Sequence, residues 1–160
     1  MRRIGIFLIL CVIATGFCFG QLPHTFTQYT SEDGLSQNTI MSILQDDKGV
    51  MWFATWDGLY KFDGYTFNNY KAHPGDSIGL SNNRLDNIKE DRYGYIWVQS
   101  YNHQVYRFNP RLERFQAIPY DNYLSLDMYV LPCGDVWIIT YTEVSNTQMV
   151  SVPYALYAEK

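Results

Sequence analysis

The sequence predicts an all-β chain, a partial β-propeller of about two and a half four-stranded antiparallel blades behind a signal-peptide helix. Three observations lead to this prediction. Aromatic residues make up 17% of the 160 residues, and aromatic side chains suit the pleated, half-buried surface of a sheet. No sustained 3.6-residue apolar period follows residue 20, so helices are not expected there. The chain also repeats itself at a spacing of 45 residues, which is typical of propeller blades.

Residues 1–20 have the pattern of a secretory signal peptide. Arg2 and Arg3 precede an apolar run from Ile4 to Phe19, and Gly20 is a small residue at the expected cleavage point. The alternative is an uncleaved membrane anchor, for which the run is short of the roughly 20 residues that span a bilayer. We expect cleavage and a periplasmic location. Membrane attachment would then come only from an uncleaved signal or from missing C-terminal parts.

Charge and cysteine content exclude some classes of partner. Without the signal segment, 10 Lys and Arg stand against 16 Asp and Glu, a net charge near −6. An acidic chain without a basic stripe is repelled by nucleic acid and anionic lipid, so we expect no nucleic-acid partner. Cys11 and Cys18 lie in the signal segment, which leaves Cys133 without an internal disulfide partner or metal-ligand spacing. We interpret Cys133 as a small core residue.

The internal repeat is a gapless match between residues 34–59 and residues 79–104. Eight of the 26 aligned positions are identical: Gly34, Leu35, Ser36, Asn38, Ile43, Asp46, Gly49 and Trp52 meet Gly79, Leu80, Ser81, Asn83, Ile88, Asp91, Gly94 and Trp97. After one inserted residue, Tyr60-Lys61-Phe62-Asp63 meets Tyr106-Arg107-Phe108-Asn109. A third, weaker copy keeps a glycine, Gly134, three residues before a tryptophan, Trp137. Such agreement in register predicts equivalent structural units.

Each copy contains four short candidate strands separated by tight turns. Asp and Gly mark the turns, because Asp bonds its side chain to nearby backbone and Gly tolerates a positive φ. The Asp57-Gly58 step between apolar runs is a hairpin signal. The predicted strands are Thr39–Gln45, Met51–Thr55, Leu59–Phe62 and Tyr65–Tyr70, then Arg84–Glu90, Tyr95–Ser100, Gln104–Phe108 and Arg114–Ile118.

The repeat also predicts where the domains begin and end. We expect a lead-in at 21–35, blades at 36–75 and 76–120, an incomplete blade at 121–143 and an atypical tail at 144–160. Trp52 and Trp97 should each lie on an inner strand with the indole ring packed between adjacent blades. A helical solenoid would need a helical period, and an immunoglobulin-like sandwich would not need the internal copy.

The repeated pattern resembles the two-component regulator propeller repeat. It runs from Gly34-Leu35-Ser36-Gln37-Asn38 through Trp52 to Leu59-Tyr60-Lys61-Phe62, and Phe26–Leu35 looks like the start of the periplasmic sensor of hybrid two-component systems in Bacteroidetes. The resemblance implies many such blades, a histidine kinase and a transcriptional response in full-length relatives. It also implies detection of carbohydrate fragments, with an oligosaccharide as the expected ligand.

The chain departs from that family because it has no phosphoacceptor histidine motif, ATP-binding glycine boxes or receiver aspartates. Kinase activity therefore does not carry over, and we expect a truncated, non-enzymatic sensor fragment. Two alternatives stay open, a stand-alone secreted interaction module and a fragment of a propeller-fold carbohydrate-active enzyme. Uncovered blade flanks would favour self-association and marginal stability, because repeat arrays gain most of their stability from neighbouring repeats.

No catalytic, metal or cofactor site is predicted. Paired carboxylates could hydrolyse glycosides, but Glu32, Asp33, Asp57 and Glu90 are scattered over turns, and Asp46 and Asp91 are interpreted as turn acceptors. The three histidines show no metal-ligand spacing: His24, His73 and His103.

The hairpin tips are the candidate ligand-binding residues. Trp56-Asp57 and Tyr101-Asn102-His103 occupy the same turn of their copies, so they should project from the same propeller face. Aromatic rings beside amides suit sugar rings, which offer an apolar face and hydroxyl groups. The alternative is that Trp56 and Tyr101 pack against the neighbouring blade.

Overall fold

The computed structural model describes residues 26–73, 75, 79–119, 124–141 and 147–152. The predicted signal segment at 1–20, His24 and the end of the predicted tail lie outside these residues. A 3₁₀ turn, Ser31–Asp33, precedes the strands. Within the described ranges, no helix has the length and hydropathy needed to cross a membrane.

The described strands form three antiparallel sheets, each built from consecutive strands. In chain order the strands are β1 (Ile40–Gln45), β2 (Met51–Thr55), β3 (Gly58–Phe62), β4 (Phe67–Tyr70), β5 (Leu85–Glu90), β6 (Ile96–Ser100), β7 (Val105–Asn109), β8 (Arg114–Ala117), β9 (Leu124–Val130), β10 (Val136–Tyr141) and β11 (Thr147–Val152). The sheet orders are β1-β2-β3-β4, β5-β6-β7-β8 and β9-β10-β11. We call them blades 1, 2 and 3.

The eight strands predicted for the first two copies all form, and each end lies within two residues of its predicted position. The third blade extends beyond the expected boundary at residue 143, because β11 pairs with β10 along its whole length. This strand lies inside the segment interpreted as an atypical tail. Its β-branched Val150 and Val152 suit a strand, although the segment lacks the residues that mark the repeat.

Blades 1 and 2 share one apolar core. Trp52 on β2 is 1% exposed and packs edge-on against Phe108 of β7, with ring centroids 5.6 Å apart. Alternate residues of β6, Ile96 and Val98, lie in the same cluster. Because successive side chains of a strand point to opposite faces, one face of β6 is committed to blade 1.

The opposite face of blade 2 forms a second core with blade 3. Trp97 on β6 is 2% exposed and packs with Met128, Val136 and Ile138. Trp52 and Trp97 thus occupy equivalent positions and each fills the space between successive blades, which confirms the prediction made from the repeat. Replacing either tryptophan with alanine should lower the free energy of unfolding by about 3–5 kcal/mol, as in other protein cores.

The far face of blade 1 is partly open. Ile43 is 58% exposed and Tyr29 of the lead-in is 43% exposed, although Tyr29 packs edge-on against Phe62 and Phe67 with centroids 4.9 and 5.6 Å away. Apolar surface of this kind is the expected basis for self-association, and self-association stays a prediction.

A buried aspartate–indole bond explains why the repeat keeps Asp and Trp six residues apart. In blade 2, Asp91 Oδ1 accepts from the N–H groups of Tyr93 and Tyr95 at 2.9 and 3.1 Å, and its Oδ2 accepts from Trp97 Nε1 at 2.8 Å. Asp46 makes the same set in blade 1, including a 2.9 Å bond from Trp52 Nε1. The predicted turn-acceptor role of both aspartates is confirmed, and each also fixes its core indole.

Blade 3 lacks this bond. Leu131 stands where Asp46 and Asp91 stand in the first two blades. Trp137 Nε1 is consequently buried without a hydrogen-bond partner within the described chain. The third copy therefore keeps the tryptophan and loses its acceptor.

Candidate functional site

The two predicted tips emerge from the same end of their sheets. The β2–β3 hairpin presents Trp56, which is 43% exposed, and the β6–β7 hairpin presents Tyr101, which is 52% exposed. The two positions are 45 residues apart in the repeat, and blade 2 packs directly on blade 1. Two equivalent aromatic rings are thus partly open to solvent on neighbouring blades.

Each tip is tied to its own blade by an equivalent polar network. In blade 1, Ser36 Oγ donates to Asp57 Oδ2 at 2.7 Å and also bonds to Tyr60 OH. In blade 2, Asn102 Nδ2 donates to Ser81 Oγ at 3.1 Å, and Ser81 Oγ bonds to Tyr106 OH at 2.6 Å. The serine that opens each repeat therefore fixes the tip of the hairpin that follows.

Asp57 is further engaged by Lys71. The Lys71 Nζ atom lies 2.5 Å from Asp57 Oδ2. Desolvation acts to raise the pKa of the Asp57 carboxyl, but hydrogen bonds from Lys71 and Ser36 outweigh it and lower the pKa. The Asp57 carboxylate is thus charged at neutral pH, and its charge is compensated within blade 1.

His103 joins blade 2 to blade 3. Its backbone has φ 65°, which is uncommon for a residue with a side chain. Its Nδ1 lies 2.8 Å from the Ser125 carbonyl oxygen, and Ser125 Oγ donates to the His103 carbonyl at 2.5 Å. The structure therefore brings Asp57, Asn102 and His103 into contacts within the protein, while Trp56 and Tyr101 keep open ring surface.

Arg84 is a member of this site that the sequence interpretation missed. Its guanidinium carbon lies over both aromatic rings, 4.3 Å from the Trp56 centroid and 3.8 Å from the Tyr101 centroid. A signal was available, because Arg84 directly precedes β5 and the start of β5 lies at the same end of the sheet as the β6–β7 hairpin. Nothing in the repeat predicts the side chain's direction, since blade 1 has Thr39 at the equivalent position.

The candidate carboxylates do not form a pair in the described structure. Glu90 lies at the far end of β5 from the tips, where its Oε2 accepts the Asp47 backbone N–H at 3.0 Å. Desolvation raises the pKa of Glu90 to about 7, and the charges of Asp47 and Asp46 add to this increase. Glu90 is therefore an interblade contact beside the carboxyl groups of Asp47 and Asp46, away from the candidate Asp57 at the tips.

In the described part of the chain, no group of three or more His, Cys, Asp or Glu side chains could hold a metal ion.

The interpretation of Cys133 as a core residue is wrong. Cys133 is exposed on the β9–β10 turn, and its Sγ donates to Asp135 Oδ2 at 3.4 Å. It stands in a turn because the strand pattern that would have buried it ends at Val130.

Several solved structures resemble the fold of this chain. The extracellular domain of the hybrid two component system BT3049 from B. thetaiotaomicron has a TM-score of 0.61 at 21% identity, covering 83% of this chain and 21% of that chain. The corresponding domain of BT4673 has a TM-score of 0.51 at 20% identity, covering 69% of this chain and 18% of that chain. PorZ of Porphyromonas gingivalis, described as a component of the type-IX secretion system, has a TM-score of 0.51 at 17% identity, covering 72% and 17%.

These likenesses, with three successive antiparallel sheets, make the chain part of a β-propeller. Residues 34–57 match the family model of the two component regulator propeller. Histidine kinase P4 of Formosa agariphila is 40% identical over 83 residues, which are 51% of this chain and 6% of that protein. Residues 34–57 thus match one two component regulator propeller repeat, as the sequence predicted, and the chain spans a small part of the length of these relatives.

Proposed function

We propose that this chain is part of an extracytoplasmic sensor that recognises a carbohydrate-derived ligand through the face bearing Trp56 and Tyr101. The observation that carries the proposal is the pair of equivalent, half-exposed aromatic rings on adjacent blades of a regulator-type propeller. Aromatic side chains with a polar surround are typical of small-ligand sites. The polar networks at Ser36 and Ser81 hold both rings in place, so little ordering is needed when a ligand binds.

The signalling role is part of the same proposal. A relative that aligns with about half of this chain is named a histidine kinase, and similar propellers belong to hybrid two component systems. The predicted signal segment at 1–20 favours a periplasmic location. In such a protein, binding at the propeller would change the activity of a kinase located elsewhere in a longer chain, and from there transcription.

Direct binding measurements test the recognition step. Isothermal titration of the purified chain against a panel of neutral and acidic oligosaccharides should find at least one that binds. Trp56→Ala and Tyr101→Ala should each weaken that binding about 10-fold, the effect of losing one aromatic contact worth roughly 1.4 kcal/mol.

Tyr65→Ala is the matched control, because Tyr65 is 92% exposed on the β3–β4 turn at the opposite end of blade 1. It should leave affinity unchanged. The proposal fails if no saccharide binds, or if the two tip variants bind as tightly as the Tyr65 control.

A further inference from the structure

We propose that the Arg84 guanidinium, seated against Trp56 and Tyr101, recognises a carboxylate or sulfate group of an acidic saccharide. The inference rests on the proposed function and names its ligand class. Its basis is a positive charge at the centre of the aromatic pair, supplied by one residue and shared by two blades.

The charge of Arg84 has no compensating anion among the described residues. The ion pair found in that part of the chain joins Lys71 to Asp57. Arg84 Nε is buried and has no hydrogen-bond acceptor in the part of the chain that the structure describes. A guanidinium has five N–H donors and cannot deprotonate in a protein, so Arg84 keeps its charge here and its buried Nε–H carries an uncompensated desolvation cost.

The aromatic rings hold the guanidinium and leave room for a sugar. Stacking on two rings orients the planar cation through cation–π attraction, while Trp56 and Tyr101 remain 43% and 52% exposed. A carboxylate or sulfate can accept two parallel N–H bonds from such a preorganised fork. A pyranose ring carrying that group could then rest on the remaining surface of Trp56 or Tyr101.

The surrounding charges support an anionic ligand. Asp57, the acidic residue of the blade 1 tip, is paired with Lys71 at 2.5 Å, so its repulsion of an incoming anion is reduced. The corresponding position in blade 2 is the neutral Asn102. Blade 1 has Thr39 where blade 2 has Arg84, so the two-ring arrangement of Arg84 belongs to the junction of blades 1 and 2.

The test uses matched probes that differ only in the anionic group. Titration compares trigalacturonate with its methyl ester, and a sulfated carrageenan tetrasaccharide with its desulfated form. The wild-type chain should prefer the anionic member of at least one pair, and the pair that shows the preference identifies the group as carboxylate or sulfate. Arg84→Gln should weaken anionic binding about 10- to 100-fold, the range for a lost charge-assisted bond, and leave the neutral probe unchanged.

Two further variants separate recognition from a structural role. Arg84→Lys keeps the charge and loses the fork, so it should retain part of the preference. Arg111→Gln removes an exposed arginine on the β7–β8 turn, at the opposite end of β7 from the tips, and should change nothing. Circular dichroism and melting of each variant report whether the blades remain folded.

The outcomes distinguish the two proposals. If neutral and anionic probes bind equally, or if Arg84→Gln weakens both by the same factor, Arg84 only joins the blades, and the inference is overturned while saccharide recognition stands. If no probe of either kind binds, the proposed function and this inference both fall.

Discussion

Replacing Leu131 with Asp should stabilise blade 3. The backbone of the turn already has the required form, because the Leu131 N–H donates to the Asp135 carbonyl at 2.8 Å and the Gly134 N–H donates to the Leu131 carbonyl at 2.9 Å. The blade 2 turn makes the same two bonds around Asp91, at 3.0 and 2.9 Å. An aspartate at position 131 should therefore hold its carboxylate near Trp137 Nε1, in the same way that Asp91 accepts from Trp97 Nε1 in blade 2.

The magnitude follows from what is gained and lost. Giving the buried indole N–H a charged acceptor is worth about 1.5–3 kcal/mol. Leu131 is 38% exposed, so its removal forfeits roughly 1 kcal/mol of burial. Repulsion from the nearby Asp135 takes a few tenths more. The net gain is about 1 kcal/mol, or roughly 2–4 °C in melting temperature for a chain of this length.

Urea unfolding followed by tryptophan fluorescence measures the change, with Leu131→Asn as the matched control. Asparagine can accept the turn N–H bonds through its Oδ1, but its amide nitrogen cannot accept the indole N–H. The Asp variant should be more stable than both the wild type and the Asn variant. If Asp and Asn give equal stabilities, or if Asp destabilises the chain, the explanation of the Asp–Trp spacing given above is wrong.

Two further predictions concern stability. Burial raises the pKa of Glu90 to about 7, so the folded chain favours the protonated form, and Glu90 should lower the stability as pH rises from about 4.5 to about 7. Glu90→Gln should lose this contribution and be about 1 kcal/mol more stable than the wild type at pH 8, after allowing for solvent screening at this partly exposed site. Urea midpoints at pH 5 and 8 check this, and a parallel pH response of the two proteins would contradict it. Gly58→Ala should cost roughly 3 kcal/mol, because Gly58 has φ 111° and a Cβ would lie 2.5 Å from the Tyr70 carbonyl oxygen. Gly64→Ala is its control, with φ 99° and no atom within 4 Å, and should cost only about 1 kcal/mol of backbone strain; equal costs would show that the close approach is unimportant.

The strands of blades 1 and 2 could be predicted because their signals are local. Short apolar runs indicate the strands, and Asp, Asn and Gly residues in the turns mark their ends to within two residues. The packing of Trp52 and Trp97 followed from the repeat alone, since equivalent sequence positions in stacked units must meet equivalent neighbours. Local signals failed at β11, which lacks the motif residues, and at Cys133, which falls in a turn.

The tips were only partly predictable. Their position on one face follows from topology, and the exposure of Trp56 and Tyr101 agrees with it. Arg84 could not be placed, because its role depends on a ring supplied by the preceding blade. The bonds of Asp57 and His103 also escaped prediction, since their partners Lys71 and Ser125 are 14 and 22 residues further along the chain.

The equivalent serine–tyrosine networks give two adjacent residues of each hairpin tip different roles. Ser36 with Tyr60, and Ser81 with Tyr106, anchor the second residue of each tip and leave the first, Trp56 or Tyr101, free of side-chain hydrogen bonds in the described chain. Substitution of that first residue therefore leaves the serine–tyrosine anchor of its hairpin intact. A propeller assembled from such units can acquire new specificity one blade at a time, by point substitutions at positions outside this hydrogen-bond network.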